Sequence, residues 1–267
     1  MTVRFHYYPG GKTKALTMSY DDGQWQDRRL VEMFNKYGIK GTFHLNSANF
    51  SKSYCVQKEE VATLYKGHEV SCHMKTHPWA DRIPDIEVIH EILEDRKALE
   101  EACGYVVRGM SYPFGKFNPR SIKLLRDCGM EYSRTVIPAG DGFSMPEDFM
   151  LWHPTCHHKA DIFQKLDKLL HDPWKPFALL YVWGHSFEFA KEEDWERIEQ
   201  FCKEASEHAD EIWFATNIEI CDYVNALYQL RFSADRTVVY NPTVIDLWIA
   251  VDDKPVKIPA GETVKLA

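Results

Sequence analysis

Three short clusters in this sequence combine residue types capable of hydrolytic chemistry. The first is Thr17-Met18-Ser19-Tyr20-Asp21-Asp22-Gly23, two adjacent carboxylates at the end of a β-rich run, followed by a glycine that permits a sharp turn. Neighbouring side chains on a strand point to opposite sides, so Asp21 and Asp22 are expected to divide the work, one facing a metal and the other the reacting water. The second is His73-Met74-Lys75-Thr76-His77, directly after the run Glu69–Cys72. Histidines four apart lie on one face of a helical turn, within reach of a common ion. Two imidazoles and one carboxylate, with positions left open for water, describe a catalytic rather than a closed structural zinc site. The third is Tyr181-Val182-Trp183-Gly184-His185, where an apolar strand delivers a histidine at its end. Imidazole titrates near neutrality and can protonate a poor leaving group such as an amine. Taken singly, the clusters also read as a solvated turn, a chance pair of histidines and a structural histidine. Their joint placement at strand ends carries the chemical reading.

Elements that could position them are legible along the chain. Strands are expected at 15–20, 42–45, 69–72, 106–111, 132–136, 150–152, 178–183 and 211–215. Helical periodicity marks 27–37, 58–65, 84–103, 119–128, 160–171, 194–209 and 218–230. In 194–209, Trp195, Ile198, Phe201, Cys202 and Ala205 fall on one face. Strand–helix alternation predicts an α/β fold with a parallel sheet, either a barrel or an open sheet, whose reacting groups gather at the carboxyl ends of the strands. From Phe232 the pattern changes to alternating β-branched residues with turn signals at Asn241-Pro242, Asp252-Asp253 and Ala260-Gly261. This divides the chain into a catalytic domain, 1–231, and a small β appendage packed on it, 232–267. The appendage either covers an edge of the core or offers Trp248 to a sugar.

Bulk properties exclude several classes. A formal charge of −8 with scattered Lys and Arg argues against nucleic-acid binding, which needs a clustered basic surface. No apolar run approaches the roughly 20 residues that a bilayer demands. The N-terminal run lacks the unbroken apolar stretch of a secretory signal, and the seven cysteines form no CxxC pair, which fits a reducing, cytoplasmic setting. Oligomeric state is not legible.

The order Asp-Asp-Gly, HxxxH, the Pro113-Phe114-Gly115 turn and a late strand ending in His185 resembles the polysaccharide deacetylase family. This is carbohydrate esterase family four, the domain shared with nodulation-type chitooligosaccharide deacetylases, and the resemblance covers about residues 14–213. It implies a distorted (β/α) barrel with fewer strands than a TIM barrel, and a metal-dependent hydrolase removing an N-acetyl, or O-acetyl, group from a saccharide. By the same resemblance Asp21 is the general base, and Asp22, His73 and His77 are the metal ligands. His185 is the general acid, and the backbone amide of Phe114 forms the oxyanion hole. Zinc is the expected ion, with cobalt, nickel or manganese as alternatives, and an acetylated saccharide is the expected partner.

The sequence departs from the family pattern in places. Where the family carries an arginine two residues before the proline, paired with the catalytic aspartate, this chain has Ser111, so Arg108 or Arg134 must substitute or the base is tuned differently. The usual Leu-x-His appears as Trp183-Gly184-His185, and the family's Asp-Trp motif has no clean counterpart. Substrate contacts are expected from His44, Asn46, Tyr112, Pro113, Trp152, Trp183 and Glu188. Each has a plainer reading too: packing or capping for His44 and Asn46, core filling for one tryptophan, and orientation of His185 or the start of a loop for Glu188. His153, His157 and His158 read as surface-loop histidines, one of which could touch substrate. Two other functions use the same residues: a cyclic amide or imide hydrolase resembling allantoinase-type relatives, and a non-catalytic carbohydrate-binding protein.

Overall fold

The computed structural model describes residues 1–140, 142–172 and 176–266. In chain order the strands are β1 (Val3–Arg4), β2 (Lys14–Asp21), β3 (Gly41–Leu45), β4 (Glu69–Cys72), β5 (Gly109–Ser111), β6 (Tyr132–Arg134), β7 (Cys156–His157), β8 (Ala178–His185), β9 (Ile212–Phe214), β10 (Arg231–Phe232), β11 (Val238–Tyr240), β12 (Leu247–Val251), β13 (Lys254–Ile258) and β14 (Thr263–Lys265). The helices are α1 (Asp27–Tyr37), α2 (Val61–Leu64), α3 (Asp85–Cys103), α4 (Pro119–Asp127), α5 (Ile162–His171), α6 (Glu192–Ser206) and α7 (Asn217–Leu227).

An eight-stranded parallel sheet, in the order β6-β5-β4-β3-β2-β8-β7 with β9 also on β2, curls into a half-barrel backed by helices. β2 is the hub. One edge pairs with β8 along all eight residues, from Lys14↔Ala178 to Asp21↔His185. The other edge is shared: β9 pairs with Lys14, Ala15 and Leu16, and β3 with Met18 to Asp21. A strand buried on both faces needs little alternation, and β2 is buried from Ala15 to Asp21. The predicted face of α6 is buried against the sheet side, with Trp195, Ile198, Phe201, Cys202 and Ala205 all in the core.

One sequence expectation fails here. Residues 150–152 do not form a strand: the Asp148 side chain caps the Met150 N–H at 2.9 Å and opens a 3-10 turn at Phe149–Leu151. Past Pro154, the strand beside β8 is β7 instead. The tail forms two three-stranded antiparallel sheets, β10-β11-β14 and β1-β12-β13, so one of them takes a strand from the N-terminus, with Val3 opposite Val251. From α7 the Tyr223 hydroxyl ties the N-terminal segment to β12, donating to the Tyr7 carbonyl at 2.8 Å and accepting from the Trp248 N–H at 3.1 Å. Among the described residues no helix is long and apolar enough to cross a membrane.

Candidate active site

Parallel register brings the chemistry to one edge of the sheet. Asp21, the last residue of β2, is level with His44 on β3 and His185 on β8, and Ser111 on β5 is level with Arg134 on β6. His73 follows β4 directly, its N–H donating to the Leu45 carbonyl at 3.0 Å.

Strand alternation does not govern the aspartate pair. Asp22 has left the strand with a left-handed φ of 78°. Its carboxylate therefore swings to the same side as that of Asp21: Asp21 Oδ2 and Asp22 Oδ1 each lie 3.8 Å from His73 Nε2. Nor is the His73–His77 segment helical. Met74 and His77 have φ of 60° and 59°, and Pro78 disfavours the right-handed helical region at His77. The turn is tied down from outside instead. Asn46 Nδ2 donates to the carbonyls of His73 and Met74, both at 2.7 Å. From α3, Asp95 accepts the His73 N–H at 3.1 Å and Glu91 the Thr76 N–H at 2.7 Å. The result still brings the rings together, with centroids 4.7 Å apart and His77 Nε2 3.9 Å from Asp22 Oδ1.

These three side chains fit a divalent cation. His73 Nδ1 lies 2.9 Å from the Ser111 carbonyl, which can only accept, so Nδ1 carries the hydrogen and Nε2 presents its lone pair towards Asp22. Burial, and then the neighbouring His73, lower the His77 pKa to about 4, leaving that ring neutral at pH 7. One donor atom from each of Asp22, His73 and His77 lies within 4.8 Å of the others. Ligands about 2.0–2.1 Å from a tetrahedral zinc stand about 3.3 Å apart, so small side-chain adjustments would close the site.

Asp21 is enclosed and doubly held. Ser111 Oγ donates to Oδ1 at 3.0 Å, and the buried Arg134 guanidinium donates to Oδ2. Burial alone would raise its pKa; Arg134, then His73, His44 and His185, outweigh burial and hold the carboxyl well below the usual carboxylate range. Arg134 is thus the arginine partner of Asp21. Arg108 pairs instead with Asp222 and Glu131. Across the site, His185 Nδ1 lies 3.1 Å from Glu188 Oε2, which also accepts the His185 backbone N–H at 3.1 Å. Burial lowers the His185 pKa, but the Glu188 hydrogen bond and the charges of Asp21 and Asp22 raise it further, for a net upward shift.

Other expected contacts separate into accessible and enclosed groups. Phe114 is 49% exposed, with φ of 56°, and its ring sits 4.3 Å from that of His77 and stacks on Trp79. Trp183 is partly accessible beneath the Arg134 guanidinium at 4.4 Å. His44 is buried, its Nε2 2.9 Å from Ser19 Oγ, and burial drives its pKa well down. Tyr112 is buried with its hydroxyl on the Met150 carbonyl, Pro113 is buried, and Trp152 sits in the core between Tyr132, Phe149 and Tyr181. The expectation that His44, Asn46, Tyr112, Pro113 and Trp152 line an open pocket is therefore corrected: enclosed on all sides, they support the site from beneath. Of the loop histidines, His153 bonds Thr135 Oγ1 at 2.7 Å, while His157 and His158 gather around Glu188. Sequence reasoning missed Ser111 as a link between Asp21 and His73, and Asp95 and Glu91 as anchors. It also missed Trp25, 56% exposed, and Phe187, which line a cavity of about 520 Å³ with Arg28, Arg29, Phe189 and Trp195. The position of Trp25, three residues after Asp22, was the available signal.

Comparison with known proteins bears on about half of the sequence and on the fold. Residues 9–133 match the family model described as polysaccharide deacetylase. Just under half of the chain is thus similar to the polysaccharide deacetylase family. The region that matches this deacetylase model holds Asp21, Asp22, His73, His77 and Phe114, whereas Arg134 and His185 lie beyond it. A chitooligosaccharide deacetylase of Bradyrhizobium sp. (strain ANU 289) is 27% identical over 116 residues, 42% of this chain; the chain spans about half, 52%, of that relative. Among solved structures, one from Mycobacterium smegmatis described as a polysaccharide deacetylase superposes with a TM-score of 0.64 at 17% identity, covering 85% of this chain and 96% of that one. A carbohydrate-esterase-four pseudoenzyme from Bacillus anthracis superposes with a TM-score of 0.52 at 19% identity, covering 82% and 68%. Both likenesses are of fold, and they agree with the curled parallel sheet of this chain.

Proposed function

We propose that this chain hydrolyses an acetyl group, from an N-acetyl amide first and an O-acetyl ester second, on a saccharide, with a divalent cation held by Asp22, His73 and His77. One observation carries the reading: a buried, ionised Asp21 lies between that ligand triad and a histidine on the adjacent strand. When bound, the cation, zinc first, acidifies a water and polarises the acyl oxygen.

The protein groups then divide the remaining work. Asp21 accepts the water proton. A carboxylate held so low by Arg134 is a weak base towards ordinary water, so its basicity suits only a strongly acidified one. Ser111 and Arg134 fix the two carboxylate oxygens in place. The Phe114 N–H supports the developing oxyanion, and one such donor is typically worth roughly 3–4 kcal/mol. His185, with Nδ1 committed to Glu188, uses Nε2 to protonate the departing amine. Phe114, Trp183, Trp25 and Phe187 offer aromatic faces to the sugar rings.

Metal content by mass spectrometry, followed by an acetate-release screen over chitooligosaccharides, N-acetylglucosamine derivatives and acetylated xylan, tests the reading. The expected result is one tightly held divalent cation and acetate release abolished by a chelator. Ring opening of a cyclic imide without acetate release would favour the imide hydrolase reading. Sugar binding with metal present and no turnover would favour the binding protein, a reading that the existence of a pseudoenzyme of this fold keeps in play.

A further inference from the structure

We infer that His157 Nε2, His185 Nδ1 and Glu188 Oε2 form a second divalent-cation site, weaker than the first, whose filling switches off His185 as a proton donor. Glu188 Oε2 lies 2.9 Å from His157 Nε2 and 3.1 Å from His185 Nδ1, and one donor atom from each of the three residues lies within 4.8 Å of the others. Those separations are close to the edge of a tetrahedron of ligands around zinc, about 3.3 Å. The donor set is again two imidazoles and one carboxylate, suited to zinc and other borderline-soft cations.

A second feature marks the same carboxylate oxygen. His158 is 1% exposed, and neither of its ring nitrogens has a hydrogen-bond partner among the described residues. Its Nε2 lies 3.5 Å from Glu188 Oε2, with the ring stacked on Phe189 at 4.5 Å. A Cβ at position 184 would fall 2.2 Å from His158 Nδ1, so Gly184 makes room for this ring beside the triad. A buried imidazole without a hydrogen-bonding partner is costly, and a nearby cation offers it one.

The order of affinity follows from charge. Lys159 Nζ lies 2.9 Å from Glu188 Oε1, which leaves Oε2 for an ion but places an ammonium next to it. Asp22 pairs with no lysine or arginine among the described residues. Zinc should therefore fill the Asp22 triad first. The consequence for turnover rests on the acid role proposed for His185: a ring whose Nδ1 lone pair is committed to a cation cannot also become imidazolium.

Titrating zinc chloride into the metal-stripped full-length chain, by calorimetry with the bound metal counted by mass spectrometry, tests the site. Wild type should take up two equivalents with separable affinities. Asp22→Ala should keep only the weaker, and His157→Gln and Glu188→Gln only the stronger; the amide of Glu188→Gln retains an acceptor for the His185 N–H, so loss of fold in one variant leaves the other informative. A single equivalent in wild type, or two in both the His157 and Glu188 variants, overturns the site. Acetate release at excess zinc, relative to each protein's own rate at one equivalent, should fall at least tenfold in wild type and hold steady in His157→Gln. An unchanged wild-type rate with both sites filled would overturn the switching. Two equivalents without acetate release on any substrate would leave the site standing and remove the proposed function instead.

Discussion

The Asp22–His73–His77 cluster and the His157–His185–Glu188 cluster offer the same donor types, yet the carboxylate stands 3.8 and 3.9 Å from its imidazoles in the first and 2.9 and 3.1 Å in the second. The difference lies in what holds the side chains. In the first, outside partners do so: Ser111 takes His73 Nδ1, and Asn46, Asp95 and Glu91 pin the turn, leaving three lone pairs facing a common space. In the second, carboxylate and imidazoles satisfy one another. Identical side chains thus make a ready ligand set in one place and a proton-bearing network in the other, because the surroundings decide whether the donors need each other.

The largest expected effect separates the clusters by metal. Asp22→Ala should abolish tight zinc binding, measured by mass spectrometry after dialysis, together with acetate release. Full retention of both would remove Asp22 from the ligand set. Next in size, Asp21→Asn and His185→Ala should each lower acetate release by about 10²–10⁴-fold while keeping the tightly bound zinc. Loss of that zinc in His185→Ala would mean that the two clusters are not independent. Ser111→Ala comes third. It removes one donor from Asp21 and a contact to His73, and should cost about 10–100-fold in zinc affinity or in rate, read by competitive chelator titration and initial rates. An unaffected Ser111→Ala would mean that the carbonyl of residue 111 alone orients His73.

The smallest effect concerns pH, and two sets of carboxyls pull in opposite directions. Burial raises the Asp95 pKa to about 7, and those of Asp27 and Glu69 likewise. The stability these carry is complete below the unfolded carboxyl range near ~4 and is lost as pH rises through about 7. Burial works against Glu188 as well, but His157, His185 and Lys159 outweigh it and hold this carboxyl well below its usual range, as Arg134 does for Asp21. Their contribution is present above ~4 and is lost as the pH falls below it. The melting temperature should therefore peak between about pH 4 and 7 and decline by pH 8.5, a shift of a few degrees by scanning calorimetry. A melting temperature that climbs steadily from pH 6 to 8.5 would contradict the raised values.

Much of this was legible in the residues, for reasons that also explain what was not. β2, β3, β4 and β8 announce themselves as apolar or β-branched runs, and motifs at their carboxyl ends follow the logic of parallel sheets, so Asp21, His73 and His185 could be placed together. The helical assumption for His73–His77 reached the right pairing through the wrong backbone, because left-handed conformations at Met74 and His77 carry no glycine to signal them. The same holds for Asp22. Arg108 and Arg134 looked interchangeable until register set Arg134 level with Ser111. Trp152, read as a sugar platform, is walled in by three aromatic rings drawn from distant segments. The union of Val3 with Val251 lies beyond any local pattern, and so does the convergence of His157 on Glu188.

The continuous ladder between β2 and β8 fixes more than shape. Asp21 and His185 are its final rung, so the spacing between the proposed proton acceptor and donor is set by main-chain hydrogen bonds rather than by the mobile ends of side chains. A chain wired in this way cannot relax that spacing without unzipping its innermost strand, and its reaction centre should stay assembled until the whole fold gives way.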